Sequence, residues 1–163
     1  MTALFRLVEL QSGSITVDGQ NIADIGLADL REKIAIIPQE PLLFNGTLRT
    51  NLDPFGVYED ARLWDAVRRA GLVAQSSGDT ATRFSLDLAI DDEGNNLSVG
   101  ERSLVSLARA LVKDSKIIML DEATASVDFA TDNRIQATIR QEFKDKTVRL
   151  PSLSRLWRGL AHR

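Results

Sequence analysis

The chain has 163 residues, 44% of them hydrophobic and 26% charged, a length that supports one domain with a real core and a composition ordinary for a globular protein. Its net charge of −3 gives bulk electrostatics no reason to favour nucleic acid, and the absence of cysteine rules out a disulfide framework, a thiolate metal site and a cysteine nucleophile. The longest apolar runs, 34–37 and 117–120, are four residues each, far short of the roughly 20 that cross a bilayer, and no secretory signal is visible, so a membrane role needs spanning segments outside these residues.

Taken in order, Thr2 to Leu10 places Ala3, Leu4, Leu7 and Val8 at helical spacing and predicts a helix. Ser14 to Gly19 predicts a short strand entering an Asp-Gly turn. Leu27 to Lys33 predicts a short helix, and Ile34 to Ile37 a buried strand stopped by Pro38. Pro38 to Leu52 reads as irregular, with Pro41 and Asn45-Gly46 as turn signals, and Asp53-Pro54 ends any helix there. Leu63, Trp64, Val67 and Ala70 form the apolar face of a helix from Glu59, closed by Gly71. Gln75 to Ser85 is polar and rich in Ser and Thr, and reads as a surface loop.

Leu104, Leu107, Ala108 and Leu111 then mark an amphipathic helix of about three turns. Lys116 to Leu120 is a strand fit for the centre of a parallel sheet. Thr131 to Phe143 is helical through Ile135, Ile139 and Phe143, and Thr147-Val148 begins a further strand. The order of elements predicts an α/β fold with a parallel-sheet core. A mostly helical insertion runs from about Leu48 to Asn96; with the next helix counted, it forms a helical subdomain of about 48–113.

Two segments carry chemistry. Ile117 to Leu120 runs straight into Asp121 and Glu122. Ligands of open α/β sheets bind beyond the carboxyl ends of strands, where an aspartate can hold Mg²⁺ and a neighbouring glutamate can act as base on a water. Taken alone, the pair also fits a solvated acidic turn. The second segment, Asn96-Leu-Ser-Val-Gly-Glu-Arg102, opens the helix that contains Leu104. Ser98 is a good N-cap, Gly100 leaves backbone accessible, and a helix N-terminus of this kind attracts phosphate. It equally fits a plain cap, with Glu101 closing a capping box.

Together the segments resemble a family. From Leu97 to Asp128 the chain resembles the signature, Walker B and D-loop succession of ABC transporter ATPases. Ile36 to Glu40 resembles their Q-loop, and Pro41 to Gly46 continues the likeness. The likeness runs from about residue 1 to Val148. Leu48 to Gly56 is similar to the C subfamily, the multidrug-resistance-associated exporters, as is Ser98-Val-Gly-Glu101 in place of Ser-Gly-Gly-Gln. With Glu122 present, the chain looks like the second nucleotide-binding domain of those transporters.

The resemblance implies a P-loop-NTPase-like ABC ATPase domain, here incomplete, that couples ATP binding and hydrolysis to transport. Its cofactors would be ATP and Mg²⁺. Its partners would be a second nucleotide-binding domain, closing head to tail over two ATP molecules, and the transmembrane domains of an exporter. It would lie at the cytoplasmic face of a membrane as part of a polytopic transporter. Ser98 and Gly100, with Val99 and Glu101 between and beside them, would meet the γ-phosphate of ATP held by the partner domain. Gln39 would reach Mg²⁺ and the attacking water, Asp121 would support Mg²⁺, Glu122 would polarise the water, and Asp128 would contact the partner. The reaction would be in-line phosphoryl transfer to water.

The departures from the family also carry information. Glu101 stands where the family has glutamine, and Val99 where it has glycine; an acid beside a triphosphate is unfavourable unless it turns away, so the site this signature completes is expected to hydrolyse ATP slowly. No Gly-x-x-x-x-Gly-Lys-Ser/Thr occurs in the 163 residues. These residues therefore supply no phosphate-cradling loop and no lysine for the γ-phosphate, and on their own are expected neither to bind MgATP tightly nor to hydrolyse it. Without the first strands of such a domain a sheet edge stays unpaired, and partial folding or aggregation is expected. Residues 149–163 form an atypical tail, in which Ala161-His162-Arg163 resembles the family's closing Ala-His-Arg but stands about nine positions late. His162 is either that switch histidine or a solvated chance ending.

Two other readings compete. The ATPase head of a chromosome-maintenance or DNA-repair protein shares the signature and Walker B, but carries a long coiled coil between Q-loop and signature. Here Gln39 and Ser98 are 59 positions apart with no sustained heptads. A non-catalytic truncated product that no longer binds ATP unaided is the other.

Overall fold

The computed structural model describes residues 2–38, 40–73, 83–120 and 129–149. Its first regular element is a hairpin. β1 (Thr16–Val17) pairs antiparallel with β2 (Gln20–Asn21), with Thr16 opposite Asn21. Asp18 and Gly19 both take positive φ, 49° and 81°, the left-handed pair that a two-residue hairpin turn demands. A single 3-10 turn, Ile22–Asp24, is capped by the Asn21 side chain, and α1 (Leu27–Glu32) leads into β3 (Ile34–Ile37).

The central sheet has the order β3-β6-β7, where β6 is Ile117–Leu120 and β7 is Thr147–Arg149, and both pairings are parallel. The alternation of β6 divides the core. Met119 packs with Ile22, Leu30 and Ile34 on one face, while Ile118 and Leu120 enter the larger cluster on the other. That larger face is covered by α4 (Val99–Lys113), whose Val105, Leu107 and Ala108 are wholly buried. α3 (Asp60–Arg69) and α5 (Phe129–Glu142) pack on α4 in turn. At its far end α4 is tied to the edge of the sheet. Lys113 Nζ donates to the carbonyls of Arg31 and Ile34 at 2.6 and 2.7 Å, and burial pushes its pKa down.

Most expected elements form. The helix ending at Gly71 does so with φ 81° at that glycine, and the signature helix runs a full four turns, one more than its apolar stripe alone marks.

Two expectations are corrected. Thr2 to Leu10 is a series of turns and bends, not a helix. Arg6 has φ 48°, and its guanidinium donates to the carbonyls of Ile22 and Ile25, while Arg31 takes up the carbonyls of Phe5 and Arg6. Carbonyls that a helix would use internally are thus claimed by a side chain from α1, and Leu7 is left 66% exposed. Pro38 to Leu52 is not wholly irregular either. It contains β4 (Gly46–Thr47) and α2 (Leu48–Leu52), which opens with a Thr47/Thr50 capping box. β4 pairs with β5 (Ala89–Ile90), some forty residues on, so the insertion carries strands as well as helices. Two-residue strands have no periodicity to read. Of the loop expected at Gln75 to Ser85, residues 75–82 lie outside the described residues, and Arg83 to Ser85 is irregular.

Candidate functional site

The carboxyl end of the sheet is where the candidate residues converge in sequence. β3 and β6 end in register, with Ile37 opposite Leu120. The segments that leave those strands are the Q-loop-like one and the Asp121-Glu122 pair. Gln39, Asp121, Glu122, Asp128 and His162 themselves lie outside the described residues.

The signature is described in full. Ser98 is the N-cap of α4 (φ −65°, ψ 160°), and its hydroxyl accepts from the Glu101 N–H at 3.2 Å. Glu101 reaches back, and its Oε2 accepts the Ser98 N–H at 2.8 Å, completing the capping box. The box leaves the Ser98 hydroxyl proton available to an acceptor in front of the helix. The first-turn N–H groups of Val99 and Gly100 have no acceptor within the helix, so this end carries partial positive charge. Val99 is 37% exposed, and Gly100 is buried.

The sequence suggests that Gly100 leaves backbone accessible, but the residue is buried and serves packing. A Cβ built there would lie 2.8 Å from Cγ2 of Thr131. Its missing side chain therefore sets how closely α5 approaches the first turn of α4.

Glu101 is also not the bare acid that the sequence implies. The oxygen that takes the Ser98 N–H also takes an Nη2 donor from Arg83 at 2.8 Å. The Arg83 guanidinium in turn lies 5.2 Å from the centre of the Phe84 ring, whose side chain is buried in the larger core. The carboxylate is thus hydrogen-bonded to its own helix end and paired with Arg83 there.

Other supports hold the loop in front of α4. Arg102 donates to the carbonyls of Gly94 and Leu97. Gly94 sits at φ 71° with Leu43 and Arg102 where a Cβ would be. Behind these, Asn51, wholly buried, accepts the Phe44 N–H and donates to the carbonyls of Phe44 and Thr47. Arg109 of α4 donates to the carbonyl and the side chain of Asn51 and to the carbonyl of Leu42. Burial pushes the Arg109 pKa below its ordinary value. The segment after Pro41 is thereby fastened to the signature helix. Sequence reasoning missed Arg83, Arg102, Arg109 and Asn51. Each acts on a partner remote in sequence or on backbone carbonyls, and neither leaves a local pattern.

Comparison with known proteins agrees with this architecture. A family model described as ABC transporter matches residues 1–125. The chain is 52% identical over 160 residues to the ABC-type transporter cicA of Emericella nidulans, covering 91% of the chain and 12% of that protein. It is 53% identical over 145 residues to the ATP-binding cassette sub-family C member 3 of Homo sapiens, covering 89% and 9%. An oligomycin resistance ATP-dependent permease of Saccharomyces cerevisiae is 49% identical over 162 residues, covering 91% and 11%. The chain thus spans about a tenth of the length of these relatives. Among solved structures, a bacterial Atm1-family ABC exporter with ATP bound superimposes with a TM-score of 0.76 at 30% identity, over 91% of this chain and 26% of that one.

The mixed α/β architecture with its parallel sheet is that of an ABC ATPase domain. The chain belongs to the ABC transporter family, as ATP-binding-domain sequence about half identical to members of sub-family C.

Proposed function

We propose that this chain is part of the second nucleotide-binding domain of a sub-family C exporter, and that it couples ATP binding and hydrolysis to transport across a membrane. The observation that carries the reading is the paired carboxyl ends of β3 and β6, Ile37 opposite Leu120, from which the Q-loop-like segment and Asp121-Glu122 depart. The domain divides into a sheet core, a helical subdomain of about 48–113 and a distinct tail after Arg149, the last residue of β7. It works on the cytoplasmic face, closed head to tail on a second nucleotide-binding domain and joined to transmembrane domains.

The donor set fits Mg²⁺, because the carboxylate of Asp121 and the carboxamide oxygen of Gln39 are hard oxygen ligands. Held by these residues, the ion would supply positive charge to the phosphates of ATP. Glu122 takes the proton of the attacking water. The Ser98 hydroxyl and the Gly100 N–H bind the γ-phosphate of the ATP held by the partner domain, with Val99 and Glu101 flanking them. Asp128 contacts the partner, and His162 is the candidate for a last γ-phosphate contact. The expectation of slow hydrolysis rests on Glu101 as an uncompensated acid. Its ion pair with Arg83 relieves that repulsion and leaves Val99 as the departure on which the expectation stands.

These 163 residues contain no Gly-x-x-x-x-Gly-Lys-Ser/Thr. A second reading, a product that does not bind ATP unaided, therefore applies to the isolated segment. One experiment separates the two. Equilibrium binding of a fluorescent ATP analogue, and ATP hydrolysis, are measured on the isolated chain and on a full-length transporter carrying this segment. The transporter binds the analogue and hydrolyses ATP, Glu122→Gln abolishes hydrolysis while binding persists, and the isolated chain does neither. Micromolar binding by the isolated chain, or undiminished hydrolysis in E122Q, overturns the reading.

A further inference from the structure

We infer that Arg83 is a positioning residue for the signature: it holds the Glu101 carboxylate against the cap of α4 and neutralises it, so that an acid is tolerated beside the γ-phosphate. The inference rests on the reading above that Ser98 and Gly100 meet nucleotide. Two contacts on one carboxylate oxygen, and a third that braces the arginine, carry it. Glu101 Oε2 accepts both the Ser98 N–H and an Nη2–H of Arg83, each at 2.8 Å, and the Arg83 guanidinium is braced over the Phe84 ring. The Phe84 ring is anchored in the core cluster that also holds Leu97 and Leu104, so the arginine is referenced to the same body as α4.

The pair is partly exposed, with the Glu101 side chain at 27% and Arg83 at 55%, so it adds little to stability. Its effect is on where charge sits. With Arg83 in place, the helix end meets a phosphate with its N–H groups and a hydroxyl, and the carboxylate is part of a neutral pair. Without it, one full negative charge remains beside the phosphate-facing atoms of Ser98 and Gly100, with Glu101 Oε2 2.8 Å from the Ser98 nitrogen. Screened as near a protein surface, that charge weakens phosphate binding by about three- to tenfold.

The test is a double-mutant cycle in a full-length transporter carrying this segment, reading KM for ATP and kcat separately. Arg83→Ala raises the KM about three- to tenfold where Glu101 is present and has no effect in the background of Glu101→Gln, while Arg83→Lys stays close to the parent. An Arg83→Ala effect of equal size in both backgrounds, or none in either, overturns the inference. Thermal melts of Arg83→Ala in both backgrounds accompany it, since an equal drop in the two marks a merely structural role and also overturns it. Ser98→Arg separates the premise. If it leaves ATP hydrolysis untouched, the signature reading falls and the inference with it. If it abolishes hydrolysis while Arg83→Ala does nothing, only the inference falls.

Discussion

At the scale of single residues, Gly100 shows how the sequence and the structure bring out different sides of one position. The sequence marks it as a glycine at a helix start, which fits exposed backbone for a ligand. The structure adds Thr131, whose Cγ2 lies 2.8 Å from where a Cβ would be. Gly100→Ala is therefore expected to destabilise by about 1–3 kcal/mol through overpacking. Denaturant midpoints at low protein concentration check this. Adding Thr131→Ala removes the clashing methyl and should recover most of the loss, whereas an unrecovered loss would place the strain elsewhere. Glu101 is the opposite case. Its identity is plain in the sequence and its charge invites a functional conclusion, but its effect depends on Arg83, eighteen positions away.

At the scale of elements, α4 was the most legible, because its apolar stripe, its cap and its capping box all point to one helix. The short elements were not legible. α2 is five residues long and is held by the Thr47/Thr50 box, the buried Asn51 and an ion pair from Arg49 to Asp60 at the start of α3. The Arg49 guanidinium, hydrogen-bonded to Asp60, holds that carboxyl below its ordinary value of 3.8. A carboxylate whose folded pKa is depressed stabilises the fold at pH above the unfolded value, and the contribution is lost as pH falls through the folded one. Because the pair is exposed, Asp60→Asn should lower the melting midpoint at neutral pH only slightly, and its gap to the parent should close as pH falls below 3.8. A gap that persists unchanged in acid would mean that the pair is not the cause.

At the scale of the whole molecule, the described surface carries Leu7, Val8, Ile36, Leu42, Phe44, Phe55 and Val57 as exposed large apolar residues, with Phe55 at 89%. Ile36 is one such case: on β3 it shares a face with the buried Ile34, yet is 43% exposed. Such surface is covered in a working assembly or drives association. The isolated 163-residue chain is therefore expected to self-associate, with its elution in gel filtration shifting to larger size as concentration rises. A sharp, concentration-independent two-state melt of a monomer would contradict that.

The sequence by itself determined the family, the parallel-sheet core and the capped helix that opens at Ser98. Each of these is written in contiguous residues: an apolar strand, a capped amphipathic helix, a carboxylate pair after a strand. Only the tertiary structure decided the rest. It turned the N-terminal stripe into a run of turns, because Arg31 takes up the carbonyls a helix would need. It joined Gly46-Thr47 to Ala89-Ile90, set Asn51 beneath Arg109, and placed Arg83 on Glu101. The physical reason is common to all of them. A hydrogen bond or ion pair between distant residues depends on where the chain returns in space, and periodicity, capping and turn chemistry describe only where it goes next.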